Sequence, residues 1–167
     1  MKELIDKLSS YNLFNFLFPG IIFCIVSKKV VGYNLVLDDI LIGLFLYYFV
    51  GLVLSRIGSL FVEPILKKVK FAVFSNYSDF LNASTKDTKI ELLSETNNMY
   101  RTIISLILML AILRGYYILE KCYPFFIHLR WPILVIFLLV LFLLSYRKQT
   151  KYIADRVHHI IEKEGLK

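Results

Sequence analysis

Three apolar runs, about 37 to 60, 102 to 119 and 131 to 146, approach or exceed the roughly 18–20 residues that carry a helix across a hydrocarbon core. A fourth run, about 11 to 27, is shorter and holds Asn12, Asn15, Pro19 and Gly20 inside the stretch "NLFNFLFPG". Apolar side chains cover every face of these runs instead of alternating, and the runs are too long for strands, so they read as helices. Hydrophobic residues make up 57% of the 167-residue chain, above the about 45–50% usual in a water-soluble domain. The expected fold is therefore all-α. It is a single polytopic membrane domain over 1–167 with four transmembrane helices, spans two, three and four continuing into a short cytoplasmic helical bundle.

The start, "MKELIDK", mixes Glu3 and Asp6 with Lys2 and Lys7, and no small-x-small cleavage site follows, so the first span is expected to be retained. Orientation follows from the basic residues. The N-terminal segment, the segment about 61 to 100 with its flanks, and the tail about 147 to 167 hold 15 of the 20 Lys and Arg. Lys28, Lys29, Arg114, Lys121 and Arg130 are left for the other side. Both termini are thus expected in the cytoplasm. The net charge of +7 then reads as a topology signal and an affinity for the anionic bilayer surface, since no groove-reading motif for nucleic acid accompanies it.

Leu4, Ile5 and Leu8 give residues 1 to 10 the pattern of an amphipathic lead-in. Asp38 and Asp39 precede the second span, where acidic groups favour a helix start. "SNYSDFLNASTKD" reads as the one clear loop. Ser84 and Asp87 then have capping-box spacing. The helical pattern from 88 to 121 is about 50 Å long, well beyond a core of about 30 Å. The fourth span is expected to begin at Trp131 and Pro132, with the ring at a favoured first helical position. Neither cytoplasmic segment is long enough for a core of its own, so any chemistry lies within the bundle.

Helices in lipid meet through small and polar residues. Gly51, Ser55 and Ser59 recur at intervals of four on the second span, with Gly43 nearly in line, and the third has Ala111 and Gly115. These faces are expected to pack on helices, whereas the fourth span has no small or polar residue between Pro132 and Ser145 and should face lipid. Asn12 and Asn15 share a face, and Pro19 deprives the Asn15 carbonyl of its usual amide partner. Either this polar face packs inside one copy, or Asn12, Asn15 and Pro19 line an oligomer axis or pore. Arg56 and Glu63 share a face at the cytoplasmic boundary, level with Asn97, Asn98, Tyr100 and Arg101 of "ETNNMYRT". These six are candidates for a gate or signal-receiving surface, against the plainer reading of snorkelling and interfacial side chains.

His158, His159 and Glu162 offer one helical His–Glu pair and no HExxH pattern, so a solvated face is the preferred reading and no metal is expected. Cys24 and Cys122 both fall toward the outer ends of their spans, which leaves a disulfide or two packed thiols open. No Gly-rich phosphate loop, nucleophile elbow or carboxylate pair occurs. The chain is expected to be no enzyme and to need no cofactor.

"NFLFPGIIF", "YYFVGLVLSRIGSLFVEPIL" and "NNMYRTIISLIL" together resemble the small four-span membrane proteins of bacterial anti-phage defence operons, including Hailong-type effectors paired with nucleotide-signalling enzymes. The resemblance covers the architecture of most of the chain. It implies a homo-oligomeric inner-membrane effector, with a tetramer favoured, that opens on a cytoplasmic cue. Its partners would be the lipid bilayer, further copies of itself, and a cytoplasmic protein or nucleotide-type signal from the same operon. The alternatives are a membrane scaffold or sensor that recruits a cytoplasmic partner, and a transporter subunit or membrane enzyme.

Overall fold

The computed structural model describes residues 12–163 and Gly165. The lead-in read at residues 1 to 10 lies outside them. Among the described residues there is no strand, and the helices are α1 (Leu13–Val31), α2 (Ile40–Lys68), α3 (Tyr77–Ser84), α4 (Lys89–Cys122) and α5 (Phe125–Lys163). All but the short α3 are long and apolar enough to cross a membrane. With 34 residues, α4 is about 50 Å long, and α5 with 39 residues is close to about 60 Å.

Two prolines explain two irregularities. In α1 a π turn over Leu13–Leu17 ends two residues before Pro19, and in α2 a π turn over Gly58–Val62 ends two residues before Pro64. Proline offers no amide hydrogen, and its ring crowds the carbonyl four residues back. Widening the preceding turn moves bonding to i−5, as in Phe18 N–H to the Leu13 carbonyl and Glu63 N–H to the Gly58 carbonyl. Both helices therefore pass through their proline without stopping. A third wide turn, Ser27–Val31, closes α1, where Gly32 at φ 104° sends its N–H to the Ser27 carbonyl at 2.9 Å. The left-handed φ suits glycine.

The α1–α2 crossing is backbone against backbone. A Cβ on Gly20 would stand 1.8 Å from the Tyr47 carbonyl oxygen, and one on Gly51 would stand 1.7 Å from that of Phe16. Phe23 and Cys24 of α1, Leu54 of α2 and Leu106 of α4 form the apolar core beside this crossing. Gly58 also lets α2 approach α4, less tightly, since an added Cβ would meet Ser105 Oγ at 2.7 Å. In contrast, only 6% of the apolar window of α5 is buried, against 44% for α1. Contact with α2 along the apolar stretch of α5 includes the stack of Phe142 on Phe49, ring centroids 6.0 Å apart.

Several sequence expectations are corrected here. The polar loop contains α3, because Tyr77, Phe80, Leu81 and Ser84 fall at helical spacing beneath the Ser, Asn and Asp signal. Leu81 is buried and Tyr77 stacks on Tyr152 of α5 at 5.7 Å. Ser84 closes α3 by donating to the Leu81 carbonyl, so the capping box does not form, and Asp87 alone accepts the Lys89 N–H at 2.9 Å. Asp39, as the sequence suggested, caps α2 through the Leu41 and Ile42 amides. Pro132 lies inside α5 instead of opening it: the helix already begins at Phe125. The carbonyl that proline leaves without an amide partner belongs to His128, within the first turns of α5. Cys24 and Cys122 are free thiols, Cys24 sealed in the core and Cys122 exposed.

Candidate functional site

Polar side chains gather at three levels along the bundle: a knot among α1, α2 and α4, and a charge cluster at each end. The knot is built on Asn15, held by the first π turn and 1% exposed. Its Oδ1 lies 3.0 Å from Thr102 Oγ1 of α4, and its Nδ2 makes a long 3.5 Å contact with Ser55 Oγ of α2. Thr102 Oγ1 is also 2.8 Å from the Asn98 carbonyl, so one hydroxyl proton is shared between two acceptors. The polar face of α1 is thus satisfied by α2 and α4 of the same chain. Asn15 and Pro19 are buried inside one copy instead of facing outward, and Asn12 is half-buried at the start of the first π turn.

At one end Glu63, 8% exposed, ties α2 to α4 through an ion pair with Arg101 and bonds Lys67 of its own helix at 2.9 Å. The wide turn over Gly58–Val62 and the close approach at Gly58 hold Glu63 and Arg101 within reach. Lys148 of α5 completes the cluster, donating to the Ser59 carbonyl at 2.7 Å and to Ser59 Oγ at 2.8 Å. Its charged surroundings are Glu63, Arg101, Lys67 and Arg56. Arg56 and Glu63 therefore share this end, yet the partners of the carboxylate are Arg101 and Lys67. Arg56 instead borders a cavity of about 20 Å³ with Ser59, Lys148, Gln149 and Tyr152, room for about one water-sized group. Arg56 Nε and Arg101 Nε are buried without a hydrogen-bond partner.

The remaining gate candidates separate from this cluster. Asn97 and Tyr100 are exposed, Tyr100 at 59%, while Asn98 enters the knot through its carbonyl. Arg101 alone of that stretch joins the ion cluster. Of the small-residue positions, Gly51, Ser55 and Ser59 lie buried between helices, and Gly43 is buried against Tyr47 of its own helix. Ala111 and Gly115 are exposed, with nothing within 4 Å of a Cβ added at Gly115. The helix expected on the α4 face is not supplied by this copy.

At the opposite end Glu120 of α4, 5% exposed, takes two bonds from Arg130 of α5, Nε to Oε1 at 3.0 Å and Nη2 to Oε2 at 2.9 Å. Tyr33, in the connection after α1, donates to the same carboxylate at 2.5 Å while Arg130 lies over its ring at 5.1 Å. Burial, then the bond to Glu120 and its charge, pushes the Tyr33 phenol far above its ordinary range and keeps it a donor. Three segments meet on one carboxylate in a closed set.

Sequence reading passed over Lys148, Glu120, Thr102 and Tyr33. A signal existed for Glu120: it is the one acid between Glu95 and Asp155, in a chain rich in basic residues near both of its neighbouring turns. For Lys148 the signal was the surplus of cations over acids at the span boundary. His159 meets Asn82 of α3 at 3.2 Å, and among the described residues no three His, Cys, Asp or Glu side chains are grouped to hold a metal. Comparison with protein-family models, curated proteins and solved structures finds no match to this chain, so fold and side-chain geometry carry the functional argument.

Proposed function

We propose that the chain is a homo-oligomeric effector of the bacterial inner membrane, a tetramer acting in anti-phage defence. In this reading it forms a pore gated from the Glu63 end, with that end and both termini in the cytoplasm. The observation that supports it best is the weak attachment of α5. A helix with 6% of its apolar window covered, tied to its own chain by Lys148 at one end and Arg130 at the other, is suited to exchanging contacts between copies. The uncovered Ala111 and Gly115 face of α4 offers a second surface for close helix approach. The charge cluster joining α2, α4 and α5 is the device a cytoplasmic protein or nucleotide-type signal would act on.

Expression in bacterial cells with a membrane-potential dye, together with the mass of the detergent-solubilised particle, tests this reading. A particle of several copies and trigger-dependent depolarisation are expected. A monomer that leaves the potential intact under infection would overturn it. The second reading, a membrane scaffold, is favoured by the packing of α3 on the extension of α5 through Tyr77–Tyr152 and Asn82–His159. Stoichiometric recovery of one soluble partner without depolarisation would select it.

A further inference from the structure

Charge is balanced at one end of the bundle and unbalanced at the other. Around Glu63 stand three cations, Lys67, Arg101 and Lys148, and Arg56 adds a fourth positive charge beside Lys148, all for one carboxylate. Two of them already occupy the carboxylate: Lys67 takes Oε1 and Arg101 takes Oε2. Lys148 spends two donors on Ser59, and an ammonium has three. Arg56 carries a buried Nε with no partner, and it borders a cavity whose other lining residues include Lys148, Gln149 and Tyr152. None of the residues lining that cavity is acidic. Like charges held this close raise one another's energy, and taking them partly out of water adds to it. An oxyanion lowers both terms at once, and a guanidinium beside an ammonium is the donor set that phosphate oxygens favour.

We propose that the cavity between α2 and α5, bordered by Arg56, Lys148, Gln149 and Tyr152, is a binding site for a phosphate group. At about 20 Å³ it has room for one phosphate oxygen, so the rest of the group would stand at its opening. Two sources supply this chemistry, the headgroup of an anionic lipid and free phosphate. Because the site bridges α2 to the least buried helix, an occupant would fasten α5 to the bundle. The inference is independent of whether the protein conducts.

The test uses the full chain, purified in a neutral detergent, with the midpoint of thermal unfolding read by circular dichroism. One arm titrates inorganic phosphate against chloride at equal ionic strength. The other adds phosphatidylglycerol or phosphatidylcholine to the micelles. A saturable rise of several degrees with phosphate identifies a soluble source, and a rise with phosphatidylglycerol alone identifies the lipid. In either case Arg56→Gln should abolish the shift, whereas Lys151→Gln, which removes an exposed cation of α5 that does not line the cavity, should keep it. Arg56→Gln removes a group whose Nε has no partner, so the variant is expected to fold, with its unshifted midpoint as the check. Lys148→Gln is the second variant and should also lose the shift. Absence of a shift in both arms, or equal shifts in wild type and Arg56→Gln, overturns the proposal.

Discussion

Each end of the bundle holds one buried carboxylate, and the two are satisfied in opposite ways. Glu120 meets one guanidinium through both oxygens and one phenol, and the set is closed. Glu63 meets two cations directly and has Lys148 near, with Arg56 beside Lys148, leaving buried donors over. A buried acid needs a partner, because an uncompensated charge out of water is costly. One well-placed arginine meets that need, so further cations serve something else. The closed set reads as a staple joining three segments. The open set has donors to spare and bridges the helix that is held least.

The sharpest break of this contrast is to remove a cation from each end. Arg130→Ala leaves Glu120 buried with Tyr33 as its partner. It should cost about 2–3 kcal/mol, somewhat less than a deeply buried pair because the arginine side chain is 41% exposed. The free energy of unfolding in a mixed-micelle denaturant titration measures it. Between the two ends, Thr102→Val sets the scale for a neutral buried contact. It removes the hydroxyl that faces Asn15 Oδ1 and should cost about 1–2 kcal/mol by the same titration. A loss near zero there would mean that the knot is not what joins α1 to α4.

Tyr33→Phe removes one bond from the closed set and is expected to cost about 1 kcal/mol. The folded phenol holds its proton above the ordinary value of 10, so this contribution is complete below about pH 10 and is lost only as pH rises through the raised value. The wild-type advantage over Tyr33→Phe should therefore be the same at neutral pH and at about pH 9. The smallest effect belongs to the open end. Arg56→Gln should change unliganded stability by no more than about 0.5 kcal/mol, since Lys67 and Arg101 still compensate Glu63. A large loss in Arg56→Gln, or none in Arg130→Ala, would erase the difference between the two ends.

The helices were legible to a degree that the partners were not. Apolar run length announced four long helices, and the absence of Pro and Gly from 88 to 114 announced the length of α4. Where the reading slipped, two local signals competed and one was misweighed. Ser and Asn in "SNYSDFLNASTKD" masked the Tyr77, Phe80 and Leu81 face of α3, because polarity argues loop only where no apolar face lies beneath it. Pro132 reads as a start in the sequence, although proline is also tolerated inside an apolar helix, and here the turns before it are already helical. The Asn15 face showed that a partner was required, and it did not say which helix supplies one. The small-residue rule met the same limit: Gly51 lies against Phe16, while Gly115 lies against nothing in this copy.

What the sequence by itself determined was where the long helices run and how many of them are long and apolar enough to cross a membrane. A backbone in hydrocarbon bonds within its own segment, and that demand is local and readable from composition. Tertiary structure decided which polar groups answer one another: Asn15 with Thr102, Glu63 with Arg101, Glu120 with Arg130 across the turn at Tyr123 and Pro124. Spacing along one helix assigns a side chain to a face, but the group it meets depends on how separate helices are rotated and crossed. That rotation is set here by contacts such as Gly20 on Tyr47, between residues far apart in the chain.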